Sequence, residues 1–446
     1  MTLDTVTFQK HLTGLVEQST DPVLFSSIEN ARFIVAYSGG LDSHVLLHLM
    51  QACHFNTLAV YIDHGLQDES NAWSEHCASV CNALDVSFQS ISVNAHPGKG
   101  QSPEASARGS RYQALADVMK AGDILLTAQH LQDQAETFIL QMLRTAGPDG
   151  LSAMPAVKEF AAGFHLRPLL INKRSELEDY AAKNQLKWIE DPSNKDESYD
   201  RNFLRQSVLP LFQKRWPSIH QTLSNVSLLQ AEASEIMNDL AAIDAKSLID
   251  EDKLDIEQLI RLSLVRQKNV IRYWLQQSDL DIPTSKRLQE IIGSMLTAAD
   301  DKSPVVSWSQ TEVRRFQGKL YAMPMISSFD TTQQISWDGM QPEIIQGLAK
   351  QVYFEKADSG LSEKCLNETL TIRFRQGGEK IKPAGRKHTM DLKKLMQQEG
   401  IPPWVRPRIP LLYLDDKLIA VADFWVADEY KSDINQSGWQ LKTLIL

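Results

Sequence analysis

Between residues 31 and about 145 the chain alternates two hydrophobic rhythms. Short continuous apolar runs bounded by turn residues read as strands buried on both faces. Longer stretches with apolar residues three and four apart read as helices. Runs of the first kind are FIVA at 33–36, LAVYID at 58–63, VSFQSISV at 86–93 and DILLTA at 123–128. The second kind begins at Leu41 (LDSHVLLHLMQAC) and recurs from Glu69 to Leu84, Glu104 to about Lys120, and Gln134 to Leu143. This alternation predicts an α/β fold, a doubly wound parallel sheet whose ligands bind at the carboxyl ends of the strands. A helix-rich segment follows from Ser218 to about Thr297, closed by the strand patterns VVSWSQ and KLYAM. The polar stretch 327–343 reads as a boundary, and the last hundred residues as a small α+β domain. There Gly377-Gly378 suits a turn, and LKKLMQQ a helix ahead of Pro402-Pro403-Trp404. The expected domains are 1–217, 218–330 (mainly helical) and 340–446.

The most informative turn joins the first strand to its helix and reads Ser38-Gly39-Gly40-Leu41-Asp42-Ser43. A glycine turn feeding a helix N-terminus aims backbone N–H groups and the positive helix end at one point, which makes an anion site. Ser38 and Ser43 add hydroxyls, while Asp42 beside phosphate is sensible chiefly as a ligand for a metal. The other common phosphate loop, G-x-x-x-x-G-K-[ST], does not occur, nor does G-x-G-x-x-G. SGGLDS instead resembles the pyrophosphate loop of the N-type ATP pyrophosphatases. That likeness implies an adenine nucleotide α-hydrolase-like sheet and cleavage of ATP between its α and β phosphates.

Other candidates fall at strand ends or at the starts of the following helices. Glu104, Arg108 and Arg111 are spaced to share a helix face, with Tyr112, Leu115 and Met119 turned toward the sheet. The arginines suit phosphate, although the same spacing serves a solvated Glu–Arg ladder. Asp133 and Glu136, three apart, leave one face of a first helical turn. They suit a metal or an amine substrate, or act only as favourable acids at a helix N-terminus. His64-Gly65 closes the second strand, as a turn or as a ligand contact.

TAQHLQDQAETFILQMLRTAGPDGLSAM, EASARGSRY (104–112) and DHGL (63–66) resemble the signature regions of the tRNA(Ile)-lysidine synthetases. WIEDPSNKDESYDRNFLR (188–205) is similar to that family's second block, and the C-terminal hundred residues to its last module. The resemblance implies ligation of L-lysine to C2 of the wobble cytidine of a tRNA(Ile) with a CAU anticodon. ATP is the co-substrate and Mg2+ the metal, held at Asp42. It further implies catalytic roles for Asp133, Glu136, Arg108 or Arg111, Arg201 and Arg205, with ATP phosphates on Ser38 to Ser43. The family often has a second acid where this chain has Gln132, and Asn or His where it has Asp63.

Composition modifies this picture in two ways. The net charge of −10 argues against nucleic acid, yet ten Lys/Arg against three acids give Thr371–Pro410 a local charge of +7. Arg386, Lys387, Lys393 and Lys394 are the expected tRNA contacts, and a solvated basic face is the plainer alternative. Cys53, Cys77, Cys81 and Cys365 form no C-x-x-C pair, and no run approaches a membrane span. A reduced cytoplasmic protein is expected, with a homodimer left open. Two rivals stand beside the ligase: a tRNA thiolase on the same fold, which needs paired cysteines, and a non-catalytic ATP-sensing RNA-binding module.

Overall fold

Phe33–Ala36 (β1) is short and apolar because both of its faces and both of its edges are covered. It pairs in parallel with Thr57–Asp63 (β2) on one side and Ile124–Leu126 on the other. With Ser87–Ser92 (β3), Ile124–Leu126 (β4), Val157–Phe160 (β5) and Gly163–Leu166 (β6), the order is β3-β2-β1-β4-β6-β5. Only β5 runs antiparallel. The hairpin β5–β6, absent from the expected elements, extends the sheet beyond β4; its first strand is half exposed and carries Lys158 and Glu159. In the computed structural model, residues 3–17, 31–63, 70–94, 103–298, 304–433 and 436–445 are described. His64-Gly65 and most of the Pro/Gly loop HPGKGQSP lie outside them.

Helices cover the sheet unequally. Leu46, Leu47 and Leu49 of Leu41–Ala52 join Leu12, Cys77, Cys81 and Leu177 in one core with Phe33 and Val35. Ala114 and Leu115 of Pro103–Val118, with Met119 just past its end, pack with Ile34, Val60 and Leu125 in another. Alternate residues of β1 therefore face different cores, as a pleated strand requires. The chain leaves β1 by a helix on one face and arrives at β4 from a helix on the other. The topological switch point thus lies between β1 and β4, and a ligand crevice is expected at their carboxyl ends.

The chain divides into two compact units, Met1–Met237 and Asn238–Leu446. In the second, helices Leu264–Gln277 and Ser285–Glu290 pack against a five-stranded antiparallel sheet around Trp274. VVSWSQ and KLYAM contribute the strands Val305–Trp308 and Lys319–Pro324. Between them TEVRRF is also a strand (Thr311–Phe316), which its charges conceal in the sequence. Buried Glu312 is gripped by Arg314 at 2.8 and 3.1 Å, and buried Arg315 donates to the Met295 carbonyl at 2.5 Å. The C-terminal sheet recruits Ile335–Trp337 from the polar stretch, upstream of the expected start at 340. Trp337 stacks on Phe354 at 4.7 Å. Gly377 and Gly378 take φ of +105° and +87°, the backbone that favours glycine in a turn.

Candidate active site

Gly39 is the hinge of the loop after β1. Its φ is +79°, and a Cβ there would lie 2.9 Å from both Cys77 Sγ and Ile189 Cδ1. The Ile189 amide donates to the Gly39 carbonyl at 2.9 Å, so the WIEDPSN segment backs the turn. Ser43 Oγ receives the Ser38 amide at 3.2 Å, meets Ser38 Oγ at 3.0 Å and donates to the Gly40 carbonyl at 3.0 Å. These bonds hold the loop open toward solvent at Ser38, with Leu41 buried beneath it.

Asp42 stands in the first turn of the helix Leu41–Ala52. Its Oδ1 is shut away from solvent without a hydrogen-bond partner. Burial raises its carboxyl pKa, and the neighbouring His130 ring pulls the other way. An orphaned carboxylate oxygen beside a phosphate loop fits a cation. Among the described residues no three His, Cys, Asp or Glu are grouped to hold a metal, so phosphate and water would complete its shell.

The helix of the second motif starts at Leu131, earlier than the expected Gln134, because His130 caps it. His130 Nδ1 accepts from the Gln132 amide at 3.2 Å, and Asp133 Oδ2 accepts from the His130 amide at 3.0 Å. His130 Nε2 meanwhile faces Asp42 Oδ2 at 3.7 Å, linking the two motifs across β1 and β4. The cap role of His130 was not foreseen, and its signal was its place three residues before Asp133. Gln132 is turned elsewhere: its carbonyl oxygen accepts from the Arg174 amide at 3.0 Å.

Two arginines close the cluster. The chain passes through a short helix, Asp200–Phe203, and a π turn, Leu204–Val208. Arg205 meets Glu136 at 2.6 and 2.9 Å and Asp133 at 2.9 Å. Arg201 donates to Thr137 Oγ1 at 2.8 Å and lies 3.5 Å from Glu136. Glu136 is fully buried, and burial raises its pKa against the pull of Arg205. Burial also pushes Asp133 up, but His130, Arg205 and the His130 amide outweigh it and leave its pKa lowered. The two acids are thereby separated into a stronger and a weaker one, the usual preparation for a division of labour.

Arg108 and Arg111 do not join this cluster. Both are exposed, and Arg108 lies over the Tyr112 ring at 5.1 Å, in the company of Lys158, His165 and Arg167. Leu115 and Met119 are buried toward the sheet, as their spacing requires.

The C-terminal basic segment is smaller as a surface than as a sequence. Arg373 pairs with Asp416, Arg375 with Glu379 and Lys382 with Asp428, while Arg406 is buried. Lys387, Lys393 and Lys394 remain exposed, as does Arg386 with weak contacts to Gln398 and Glu399.

Comparison with known proteins identifies the family to which the chain belongs. Residues 5–212 match a PP-loop domain, 254–321 a TilS substrate binding domain and 370–443 a TilS substrate C-terminal domain. The tRNA(Ile)-lysidine synthase of Coxiella burnetii is 40% identical over 418 residues, 93% of each chain. That of Methylococcus capsulatus is 38% identical, covering 89% of this chain and 92% of its own. Among solved structures, the U34-tRNA thiolase NcsA from Methanococcus maripaludis aligns at a TM-score of 0.42. It is 14% identical over 51% of this chain and 80% of that one.

Proposed function

Because the chain belongs to the tRNA(Ile)-lysidine synthase family, we propose that it joins L-lysine to C2 of the wobble cytidine of a CAU-anticodon tRNA(Ile). It is a ligase that forms a carbon–nitrogen bond and uses ATP. The observation that carries the residue assignments is the meeting of Asp42, Asp133, Glu136, Arg201 and Arg205 beside the glycine loop.

Ser38 to Ser43 take the β and γ phosphates through backbone amides and hydroxyls. Asp42 would hold Mg2+, whose positive charge would offset that of the phosphates. Cytosine O2 attacks the α-phosphorus, the bond to the bridging oxygen breaks and pyrophosphate leaves. Arg111, which shares the helix Pro103–Val118 with Arg108, would stabilise the charge that develops on the α-phosphate. The lysine ε-amine then attacks C2, and the C2–O bond breaks with AMP as leaving group. At pH 7 only about one lysine in 2,500 carries a neutral ε-amine. A proton acceptor is therefore needed, and Glu136, the weaker acid of the pair, is assigned to it. Asp133 stays ionised and orients Arg205. Arg201 and Arg205 hold both carboxylates in place until the amine arrives.

Arg386, Lys387, Lys393 and Lys394 contact tRNA phosphates, which position the substrate without specifying sequence. ATP, lysine and tRNA meet in the cytoplasm, and among the described residues no helix is long and apolar enough to cross a membrane. Nucleoside analysis of a tRNA(Ile) transcript incubated with the protein, ATP and lysine tests the whole reading. Lysidine with stoichiometric AMP is the expected result. ATP binding without AMP formation would point to the sensing module instead.

A further inference from the structure

We infer that Lys158 and Arg167, with Arg108 beside them, form a second phosphate site, and that its ligand is a backbone phosphodiester next to the reacting base. The inference rests on the tRNA reading above. Arg167 is 3% exposed. Its guanidinium donates to the Pro155 carbonyl at 2.6 Å and reaches His165 Nδ1 at 3.3 Å, while its Nε is buried without a partner. Among the described side chains no carboxylate pairs with Arg167 or Lys158. A buried guanidinium without a counter-charge is costly, so a fold that keeps one has a use for it.

Aromatic rings and the Tyr112 hydroxyl, not carboxylates, are what the cluster's cations meet, so the positive charge is stabilised without being neutralised. Arg108 lies 5.1 Å from the Tyr112 ring centre, and Lys158 lies 5.7 Å from that of Phe160 and 6.0 Å from that of Tyr112. His165 is fully buried among them. Burial first, then Arg167, Lys158 and Arg108, drive its pKa down to about 2. A neutral His165 that accepts at Nδ1 must carry its proton on Nε2, where it meets Thr127 Oγ1 at 2.7 Å. Thr127 in turn donates to Gln129, the neighbour of His130. The cationic cluster is thus tied by hydrogen bonds to the rim of the catalytic crevice.

An anion is the ligand this chemistry takes, and a guanidinium floor flanked by an ammonium suits phosphate oxygens. Position selects its source. Lys158 stands on β5 and Arg167 directly after the carboxyl end of β6, and β6 lies two strand spacings, about 10 Å, from β1, whose carboxyl end carries the loop assigned to the ATP phosphates. A single-stranded anticodon loop that splays one base into the crevice carries a phosphodiester on either side of it.

The test uses the full-length chain with Lys158→Gln and Arg167→Gln, each checked for its melting temperature. Affinity for the tRNA is measured against salt, and affinity for ATP separately without RNA. Lys158 is exposed, so its variant keeps the fold even where the Arg167 variant does not. Expected for Lys158→Gln are a several-fold weaker tRNA complex, a salt slope lower by about 0.7, and unchanged ATP affinity. An unchanged tRNA slope, or a loss confined to ATP, overturns the assignment. Lysidine formation by the unaltered protein in the same preparation reports on the tRNA reading alone.

Discussion

Arg205 grips Glu136 with two parallel bonds, Nε to Oε1 at 2.6 Å and Nη2 to Oε2 at 2.9 Å, although the two residues lie 69 positions apart. The same guanidinium reaches Asp133 at 2.9 Å, so one arginine holds both acids of the helix Leu131–Leu143. Removing one partner of a buried, hydrogen-bonded charge pair leaves the other uncompensated and costs roughly 2–5 kcal/mol. Arg205→Gln should therefore lower stability within that range, toward its lower end because Arg205 is 29% exposed. Adding Glu136→Gln should recover part of the stability but none of the lysidine formation. Urea unfolding of the single and double variants, beside nucleoside analysis, checks both halves. A double variant that regains activity would remove Glu136 from the chemistry.

Asp42 offers the opposite relation between stability and function. Its carboxylate is half buried with an orphaned oxygen and a raised pKa, so the fold gains little from its charge. Asp42→Asn should leave the melting temperature equal or higher and abolish ATP-dependent pyrophosphate release. A variant that melts several degrees lower while losing activity in proportion would make Asp42 structural.

The parallel sheet, the phosphate loop and the acidic pair were legible because each rests on local pattern. A strand feeding a glycine turn, or two acids three apart, needs no tertiary information. The edge hairpin β5–β6 and TEVRRF escaped, since half-exposed or buried paired charges break the alternation that marks a strand. Arg201 and Arg205 entered through family resemblance alone, and only the fold brings them to Glu136. Arg167 carried no signal at all. A buried arginine without a carboxylate looks in sequence like any other arginine.

Gly39 combines two requirements that a side chain cannot meet. Left-handed backbone costs roughly 1–2 kcal/mol for an ordinary residue. A methyl group would also press on Cys77 Sγ and Ile189 Cδ1 at 2.9 Å. Gly39→Ala should weaken ATP binding at least tenfold, and Gly39→Ala with Ile189→Val should recover only the part due to crowding. Equilibrium ATP titrations of the two variants separate backbone from packing. Full recovery in the double variant would mean that φ is irrelevant there.

For the C-terminal segment, salt is the discriminating variable. Neutralising Arg386, Lys387, Lys393 and Lys394 together should weaken tRNA binding and flatten its salt dependence by roughly 0.7–0.9 per lost contact. ATP affinity should not change. A slope equal to that of the unaltered protein would leave these four as a solvated face.

Stability should fall in mild acid, and His165 supplies a specific part of that fall. Its pKa is pushed from 6.5 to about 2, first by burial and then by Arg167, Lys158 and Arg108. His44, buried behind the phosphate loop, is pushed to about 4 by burial and by His48 and His76. The sign follows from proton counting. Below pH 6.5 the unfolded chain protonates both imidazoles, while the folded chain does not until the lowered values are reached. The unfolded state binds more protons in that window, so stability is present above it and is lost as pH falls. Each such histidine contributes up to about 1.4 kcal/mol per pH unit well below its unfolded pKa. His165→Gln keeps a buried hydrogen-bonding group but cannot titrate. Whatever it costs at pH 7, its stability should decline less steeply between pH 6 and 5, by up to that amount, in urea unfolding followed at both values. Equal slopes in variant and parent would mean that His165 takes up its proton in the folded state, and that the cations around it exert no such field.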